Sequence, residues 1–103
     1  MNIFKKFKAF LRFREAMRQA DKAFLQTNQR HYVLPTPEGM LIIMNRKNFR
    51  ELKRKGYINR KAYVLGLEKG CLYCTPYGNG TRGMSKETSK ERFKRYLDIL
   101  EEI

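Results

Sequence analysis

Apolar residues recur at helical spacing along the first quarter of the chain. From Ile3 to about Leu25 there is neither Pro nor Gly, and apolar positions follow one another at three or four residues: Phe10, Phe13, Met17, Ala20 and Phe24. This spacing places side chains on one face of a helix. The pattern predicts that the chain opens with its longest helix, which packs this face against the core.

A second apolar set occupies the first three turns of that helix and is rotated from the first stripe at about 100° per residue. Its members are Ile3, Phe4, Phe7 and Leu11. A helix of this length exceeds the width of a small domain, so its first turns are expected to project. We interpret the set as a partner-binding surface, with core packing as one alternative. A helix lying on an anionic membrane is the less favoured alternative.

Two short apolar runs around a turn predict a β-hairpin. His31 to Leu34 carries the aromatic and branched residues typical of a strand, Pro35 to Gly39 has turn composition, and Met40 to Met44 is apolar again. The second run does not alternate with polar residues, which indicates a strand covered on both faces. Helices are expected to supply both covers.

Two short helices are predicted after the hairpin. Asn45 is a suitable N-cap for a helix from Arg46 to Lys55, and Asn59 is a suitable N-cap for a helix from Arg60 to Lys69. A glycine follows each segment, as is common beyond a helix C-terminus. Joined by so short a connection, the pair also fits a helix-turn-helix. The apolar middle of the second helix argues against a groove-reading role and favours a helical hairpin packed on the sheet.

The rest of the chain predicts a strand, a loop and a helix. Cys71 to Thr75 is expected to join the hairpin as a third strand, residues 76 to 84 form a glycine-rich loop, and Ser85 or Ser89 caps a final helix. That helix has apolar positions at Phe93, Tyr96, Leu97, Leu100 and Ile103. The prediction is one compact α+β domain over residues 1–103, with a small antiparallel sheet.

Charge is the first feature that bears on function. The chain has 23 Lys and Arg against 10 Asp and Glu, a formal net charge of +13. Such an excess repels itself in the compact state and suits a polyanionic partner. Basic residues outnumber acidic ones by eight to two over residues 1–30, six to two over residues 31–58 and nine to six over residues 59–103. The charge therefore belongs to the whole surface and not to a tail.

The densest basic segment is Arg46 to Lys55, where six of ten residues are basic and one is acidic. On a helix, five of the six fall within an arc of about 120°, opposite Phe49 and Leu52. With two residues of the next helix they form the predicted nucleic-acid contact: Arg46, Lys47, Arg50, Lys53, Arg54, Arg60 and Lys61. A solvated face that keeps a small protein in solution is the alternative explanation.

No catalytic residue, metal or cofactor is predicted. Cys71 and Cys74 form a lone CxxC, whereas structural zinc needs four ligands and the sole histidine, His31, is distant in sequence. A thioredoxin-type pair would begin a helix, so buried reduced thiols are the favoured interpretation. Nucleophile, base and orienting group do not assemble from adjacent motifs, so an enzyme is not expected.

The glycine-rich loop has the backbone amides and the arginine of an anion cradle, although a plain surface loop is the favoured interpretation. Its candidate residues are Thr75, Tyr77, Asn79, Gly80, Thr81, Arg82 and Gly83.

Three segments carry a resemblance, and they read NRKNFRELKRKGYI (residues 45–58), CLYCTPYGNG (residues 71–80) and, in the hairpin, HYVLPTPEGMLIIM. They look like those of small uncharacterised proteins encoded by phages and integrated mobile elements of gut bacteria. The resemblance implies a bacterial cytoplasm and roles such as genome handling, virion assembly or interference with host defence. It implies no catalytic residue.

The sequence therefore predicts a small basic protein, not an enzyme, that binds nucleic acid through phosphate contacts without sequence specificity. The alternative is a protein-interaction or virion-associated module that docks through its N-terminal helix onto an acidic protein or onto a second copy of the chain.

Overall fold

The computed structural model describes residues 1–80 and 82–103, so Thr81 of the candidate anion loop lies outside the described residues. In chain order the elements are helix α1 (Ile3–Thr27), strands β1 (Tyr32–Pro35) and β2 (Leu41–Met44), helices α2 (Phe49–Arg54) and α3 (Val64–Lys69), strand β3 (Tyr73–Cys74) and helix α4 (Lys86–Glu102). The predicted α+β class is confirmed, including the long first helix and the two short helices.

The sheet is antiparallel throughout, with strand order β2-β1-β3. Val33 of the central strand lies between Ile43 on one side and Tyr73 on the other. The expected third strand is thus confirmed, although it covers two residues instead of five. A backbone hydrogen bond of 2.8 Å from the Thr36 N–H to the Met40 carbonyl closes the hairpin loop.

Helices cover both faces of the sheet, as the unbroken apolar run in β2 predicts. Between the sheet and helices α1 and α4 lies one core, with buried members Ala9, Phe13, Ala16, Ala20, Val33, Leu72 and Tyr96. On the opposite face lies a second core, with buried members Tyr32, Leu34, Met44, Ile58 and Cys71. Phe49 and Leu52 of α2 and Leu67 of α3 pack against this second core. The cationic segment is therefore anchored by its apolar side.

The stripe that α1 buries differs from the predicted one. Ala9, Phe13, Ala16 and Ala20 are buried, whereas Phe10 lies at the edge of the stripe and is exposed. Small side chains let the helix backbone approach the sheet closely, so the alanines take the inner positions. Phe10 instead meets Phe93 of α4 edge to face, with ring centroids 5.7 Å apart.

Both short helices begin later than predicted because asparagine side chains cap turns ahead of them. Asn45 Oδ1 accepts hydrogen bonds of 2.9 and 2.8 Å from the backbone N–H groups of Lys47 and Asn48, and Asn59 Oδ1 accepts one of 2.9 Å from that of Lys61. These bonds satisfy backbone donors in a tight turn instead of in a helix. The predicted helical positions of Arg46, Lys47, Arg60 and Lys61 are accordingly wrong: the four residues lie in turns.

The helix-turn-helix alternative is also wrong. Helices α2 and α3 have six residues each, and residues 55–63 separate them, which is longer than the three- or four-residue turn of that motif.

Helix α4 begins after Ser85, whose Oγ accepts a hydrogen bond of 3.2 Å from the Thr88 N–H, so the first of the two predicted caps is confirmed. The hydroxyl of Tyr96 donates a buried hydrogen bond of 3.1 Å to the Gly39 carbonyl, which ties α4 to the hairpin loop. Within the described part of the chain, no helix combines the length and the apolar character needed to cross a membrane.

Candidate functional site

Five of the seven predicted phosphate-contacting residues are exposed cations on α2 or on the adjoining turns. We call this set the α2 basic surface, and its members are Lys47, Arg50, Arg54, Arg60 and Lys61. The other two predicted residues, Arg46 and Lys53, are held by contacts within the protein.

Lys53 connects the two halves of this surface. Its ammonium donates a hydrogen bond of 3.0 Å to the carbonyl of Ala62 and lies 5.3 Å from the ring centroid of Phe49. The first contact brings the turn that holds Arg60 and Lys61 beside the end of α2. Lys53 therefore positions its neighbours, whereas the sequence pattern placed it among the contacts themselves.

Arg46 is neutralised by a carboxylate of α3. Its guanidinium donates two hydrogen bonds of 3.1 Å to Glu68, whose side chain is only 11% exposed. Burial on its own would raise the pKa of Glu68, but hydrogen bonds from Arg46 and Tyr32 and the charge of Arg46 outweigh it and lower that pKa below its usual value. Glu68 is thus ionised at neutral pH and holds Arg46 in place.

Glu51 of α2 binds its neighbouring cations more weakly than Glu68 binds Arg46. Glu51 lies 3.7 Å from Arg54 and 3.4 Å from Lys55, and all three side chains are exposed. Exposed pairs of this kind contribute little and are screened by salt. A phosphate can replace Glu51 at small cost.

A cleft of about 290 Å³ opens beside Arg46 at one end of the sheet. We call it the tyrosine cleft, and its lining residues are Asn28, Gln29, Arg30, Tyr32, Asn45, Arg46, Lys47, Glu68 and Tyr77. Sequence reasoning singled out two of its basic residues and, separately, Tyr77. It missed Arg30 and Tyr32 because the cleft joins segments that no local pattern connects.

Arg30 and the two tyrosines form the wall of this cleft. The guanidinium carbon of Arg30 lies 3.9 Å from the ring centroid of Tyr77, and Arg30 Nη2 donates a hydrogen bond of 2.6 Å to the Arg82 carbonyl. Arg30 Nε is buried and has no hydrogen-bond partner within residues 1–80 and 82–103. The hydroxyls of Tyr77 and Tyr32 lie 3.3 Å apart. Burial, and then contact with Glu68 and Tyr77, raises the pKa of Tyr32, so its hydroxyl stays protonated.

Close backbone contacts set the position of the loop that carries Tyr77. A Cβ added to Gly78 would collide with the carbonyl oxygen of Asn28, and one added to Gly83 would lie 2.7 Å from the carbonyl oxygen of Cys74. Asn28 itself ends α1 in the left-handed conformation, with φ 59°. The loop therefore packs at Gly78 against the end of α1 and at Gly83 against the end of β3, and these glycines are the sequence signal for the close approach.

Thr75, the first residue of the candidate anion loop, has a structural role. It is fully buried, and its Oγ1 accepts a hydrogen bond of 2.8 Å from the His31 N–H. His31 is buried as well, with Nδ1 2.7 Å from the Gln29 carbonyl and Nε2 3.3 Å from the Asn45 amide nitrogen. These contacts connect the start of β1 to the residues that follow β3 and β2.

Cys71 and Cys74 are free thiols on the second core, one buried and the other half-buried. Contact between the two lowers the pKa of Cys74, and the same contact, together with burial, raises the pKa of Cys71. Among the described residues, no group of three or more His, Cys, Asp or Glu is placed to hold a metal ion.

The N-terminal turns of α1 present the second candidate surface. Phe4 is 75% exposed and Phe7 59%, and Ile3 and Leu11 are exposed beside them. A groove of about 340 Å³ runs between α1 and α4, and its lining residues are Lys6, Phe10, Phe13, Met17, Ser89, Lys90, Phe93, Lys94 and Leu97. The described lining thus has an apolar floor, three lysines and no carboxylate.

These three features suit different ligands. The α2 basic surface suits phosphates, the tyrosine cleft suits a planar ring, and the groove suits an apolar segment that carries carboxylates. No protein-family model, no curated protein and no solved structure matches the chain. Function is therefore inferred from the chain's own residues.

Proposed function

We propose that the protein binds nucleic acid through phosphate contacts on the α2 basic surface and catalyses no reaction. The observation that carries the proposal is the state of the cations there. Lys47, Arg50, Arg60 and Lys61 are exposed and, within the part of the chain that the structure describes, have no ion pair. Among the described residues, Arg54 pairs only with the exposed Glu51.

Repulsion between the cations of α2 favours binding of a polyanion. Arg50 lies three residues before Lys53 and four before Arg54, and like charges at these spacings destabilise a helix by about 0.2–0.5 kcal/mol per pair. Phosphates placed between the cations relieve this repulsion and release counterions. Because Phe49 and Leu52 fix the opposite side of α2 to the second core, the cations stand on an anchored element.

Binding of this kind is independent of sequence, since phosphate contacts fix orientation without reading bases. The proposal includes the setting that the resemblance implies, a phage or mobile-element protein in the cytoplasm of a bacterial host cell. An acidic protein that presents closely spaced carboxylates would compete for the same surface.

The salt dependence of binding tests the proposal. If all five cations meet phosphate, the slope of log affinity against log salt is about −3.5 for a single strand and about −4.5 for a duplex. Replacing Arg50, Arg54 and Arg60 with Ala should reduce the size of the slope by about 0.7 to 0.9 for each residue. Fluorescence anisotropy with labelled oligonucleotides measures both quantities.

Three lysines of α1 provide the matched control. The variant Lys5→Ala, Lys8→Ala, Lys22→Ala removes the same charge from exposed positions away from α2 and should keep the wild-type slope. An equal loss in both triple variants would mean that diffuse charge, and not the α2 basic surface, binds. A flat salt response of the unaltered protein would reject the proposal itself.

A second candidate function follows from the exposed phenylalanines of α1. Phe4 and Phe7 are exposed on the first turns of α1. The apolar groove between α1 and α4 carries Lys6, Lys90 and Lys94. Apolar anchors flanked by carboxylates on a partner would match this surface. The second candidate is therefore a protein-interaction or virion-associated module that docks an acidic protein here. Two copies of the same lysine rim would repel each other, which favours such a partner over self-association.

A further inference from the structure

The tyrosine cleft and the α2 basic surface share Lys47, which lines the cleft and begins the row of cations along α2. A phosphate backbone that lies along α2 therefore arrives at the mouth of the cleft. Among the described residues that line the cleft, three are cationic and one is acidic. The mouth thus favours an anion, while the wall behind it consists largely of aromatic and aliphatic carbon.

We propose that the tyrosine cleft receives one unpaired nucleotide of a bound single strand, with the base stacked on the Tyr77 and Arg30 wall and its phosphate at Lys47. The proposal rests on the proposed function and specifies its substrate: a strand with unstacked bases, not a closed duplex.

The chemistry of the wall suits a nucleobase. The guanidinium carbon of Arg30 already lies 3.9 Å from the ring centroid of Tyr77. Aromatic rings and guanidinium groups are both surfaces on which bases stack in single-strand-binding proteins. The hydrogen bond from Arg30 to the Arg82 carbonyl holds the guanidinium in place before any ligand binds. The wall is thus arranged in advance, which lowers the entropic cost of binding.

The charges of the cleft place the phosphate at Lys47. Glu68 already neutralises Arg46 through two hydrogen bonds of 3.1 Å, so this guanidinium attracts a phosphate less strongly than an unpaired cation does. Lys47 is exposed and has no ion pair among the described residues. Asn28 and Gln29 add amides to the lining that can donate to or accept from base edges.

The size and shape of the cleft exclude a paired base. A cleft of about 290 Å³ lies at the lower limit of small-molecule sites, which are about 300–1,000 Å³. A base inside a duplex presents only its edge, because its faces are stacked on neighbours. Entry into the cleft therefore requires a base that is free to leave the stack.

Anisotropy titrations with a short oligothymidylate and with a duplex of equal length test the proposal at one fixed salt concentration. Tyr77→Ala should weaken single-strand binding by about tenfold, since loss of one base–aromatic stack has an effect of this order. Its duplex binding should not change. Tyr77→Phe keeps the ring and should recover single-strand binding relative to Tyr77→Ala. Tyr63→Ala removes an exposed tyrosine outside the cleft and should bind both forms like the unaltered protein.

A titration of the unaltered protein with thymidine 5′-monophosphate, followed by NMR, keeps the test independent of how the variants fold. Chemical shifts should change at Tyr77, Lys47 and the Nε–H of Arg30. Shifts confined to residues outside the cleft, or no shift at any concentration, would overturn the proposal.

The failures of the two proposals are distinguishable. Salt-dependent binding that is equal for single strand and duplex, and unaffected by Tyr77→Ala, would remove the nucleotide site and leave the α2 basic surface intact. A flat salt response with both nucleic acids would remove the α2 basic surface, and the mononucleotide titration would then decide the cleft alone.

Discussion

Single polar contacts join elements that are far apart in the chain. The hydroxyl of Tyr73 in β3 donates a hydrogen bond of 2.6 Å to Asp21 of α1, and the hydroxyl of Tyr96 in α4 reaches the Gly39 carbonyl. Tyr96 is fully buried, so the carbonyl of Gly39 has no access to bulk water at this contact. A buried acceptor that loses its donor is costly, which makes this contact sensitive to change.

Tyr96→Phe should lower the free energy of unfolding by about 1 kcal/mol, because it removes the donor and keeps the ring. Urea denaturation followed by circular dichroism measures the change. Tyr63→Phe is the control, since Tyr63 is 68% exposed and should unfold like the unaltered protein. Equal stability of both variants would mean that the Tyr96 hydroxyl does not stabilise the hairpin loop.

At the scale of elements, apolar periodicity predicted which helices and strands form. It predicted less well which face of α1 is buried. Spacings of three and four residues in α1 fit both the buried stripe, Ala9 to Ala20, and the stripe that begins at Phe10. Large phenylalanines dominate a sequence pattern, but close approach to a sheet selects small alanines. The choice between the two stripes is made by packing, which the local sequence does not contain.

One part of the candidate site was predictable from the sequence and the other part was not. The α2 basic surface was predictable because its cations are close in sequence, although capping by Asn45 and Asn59 moved some of them into turns. The tyrosine cleft was not predictable, because Arg30, Glu68 and Tyr77 belong to separate segments that meet only in the folded chain. Only a three-dimensional arrangement reveals that Glu68 neutralises Arg46.

The exposed turns of α1 give a prediction for that element alone. The double variant Phe4→Ser, Phe7→Ser should keep the stability and the nucleic-acid retention of the unaltered protein, since neither ring is buried and neither belongs to the α2 basic surface. It should abolish any docking of a partner or of a second copy on α1. Thermal unfolding, heparin and oligonucleotide retention, and sedimentation measure these properties.

Phe13→Ser is the contrasting variant, because Phe13 is buried in the first core and its loss should destabilise the fold by about 3 kcal/mol or more. Lost nucleic-acid retention in the Phe4 and Phe7 double variant would contradict the assignment of phosphate contacts to α2. It would indicate that α1 carries both functions.

For the whole molecule, a net charge of +13 makes acid the main threat to stability. Hydrogen bonds from Arg18, and from Gln19 after it, lower the pKa of the exposed Glu15 to about 2, and hydrogen bonds from Arg46 and Tyr32 outweigh burial to lower that of Glu68. Solvent and salt screen the exposed pair of Glu15, so the less exposed Glu68 contributes more to stability. A carboxyl with a lower pKa in the folded state binds fewer protons there than in the unfolded chain. Its stabilising effect is present above its ordinary pKa of 4.5 and is lost as the pH falls through the folded value.

The midpoint of thermal unfolding should therefore stay level between about pH 7 and pH 5 and decrease from about pH 5 towards pH 2 at constant ionic strength. Glu68→Gln should start from a lower midpoint at neutral pH and decrease less steeply in acid, because it has no carboxyl left to protonate at this contact. An acid slope as steep as that of the unaltered protein would mean that Glu68 does not contribute.

The two cores on opposite faces of the sheet differ in how firmly their helices are held. Helices α1 and α4 together bury five of their residues, whereas neither α2 nor α3 has a buried residue. Segments with few buried contacts exchange their amide protons through partial opening at a fraction of the global unfolding free energy. We therefore expect amide protons of α2 and α3 to exchange faster than those of α1 and α4, which keep the molecule folded.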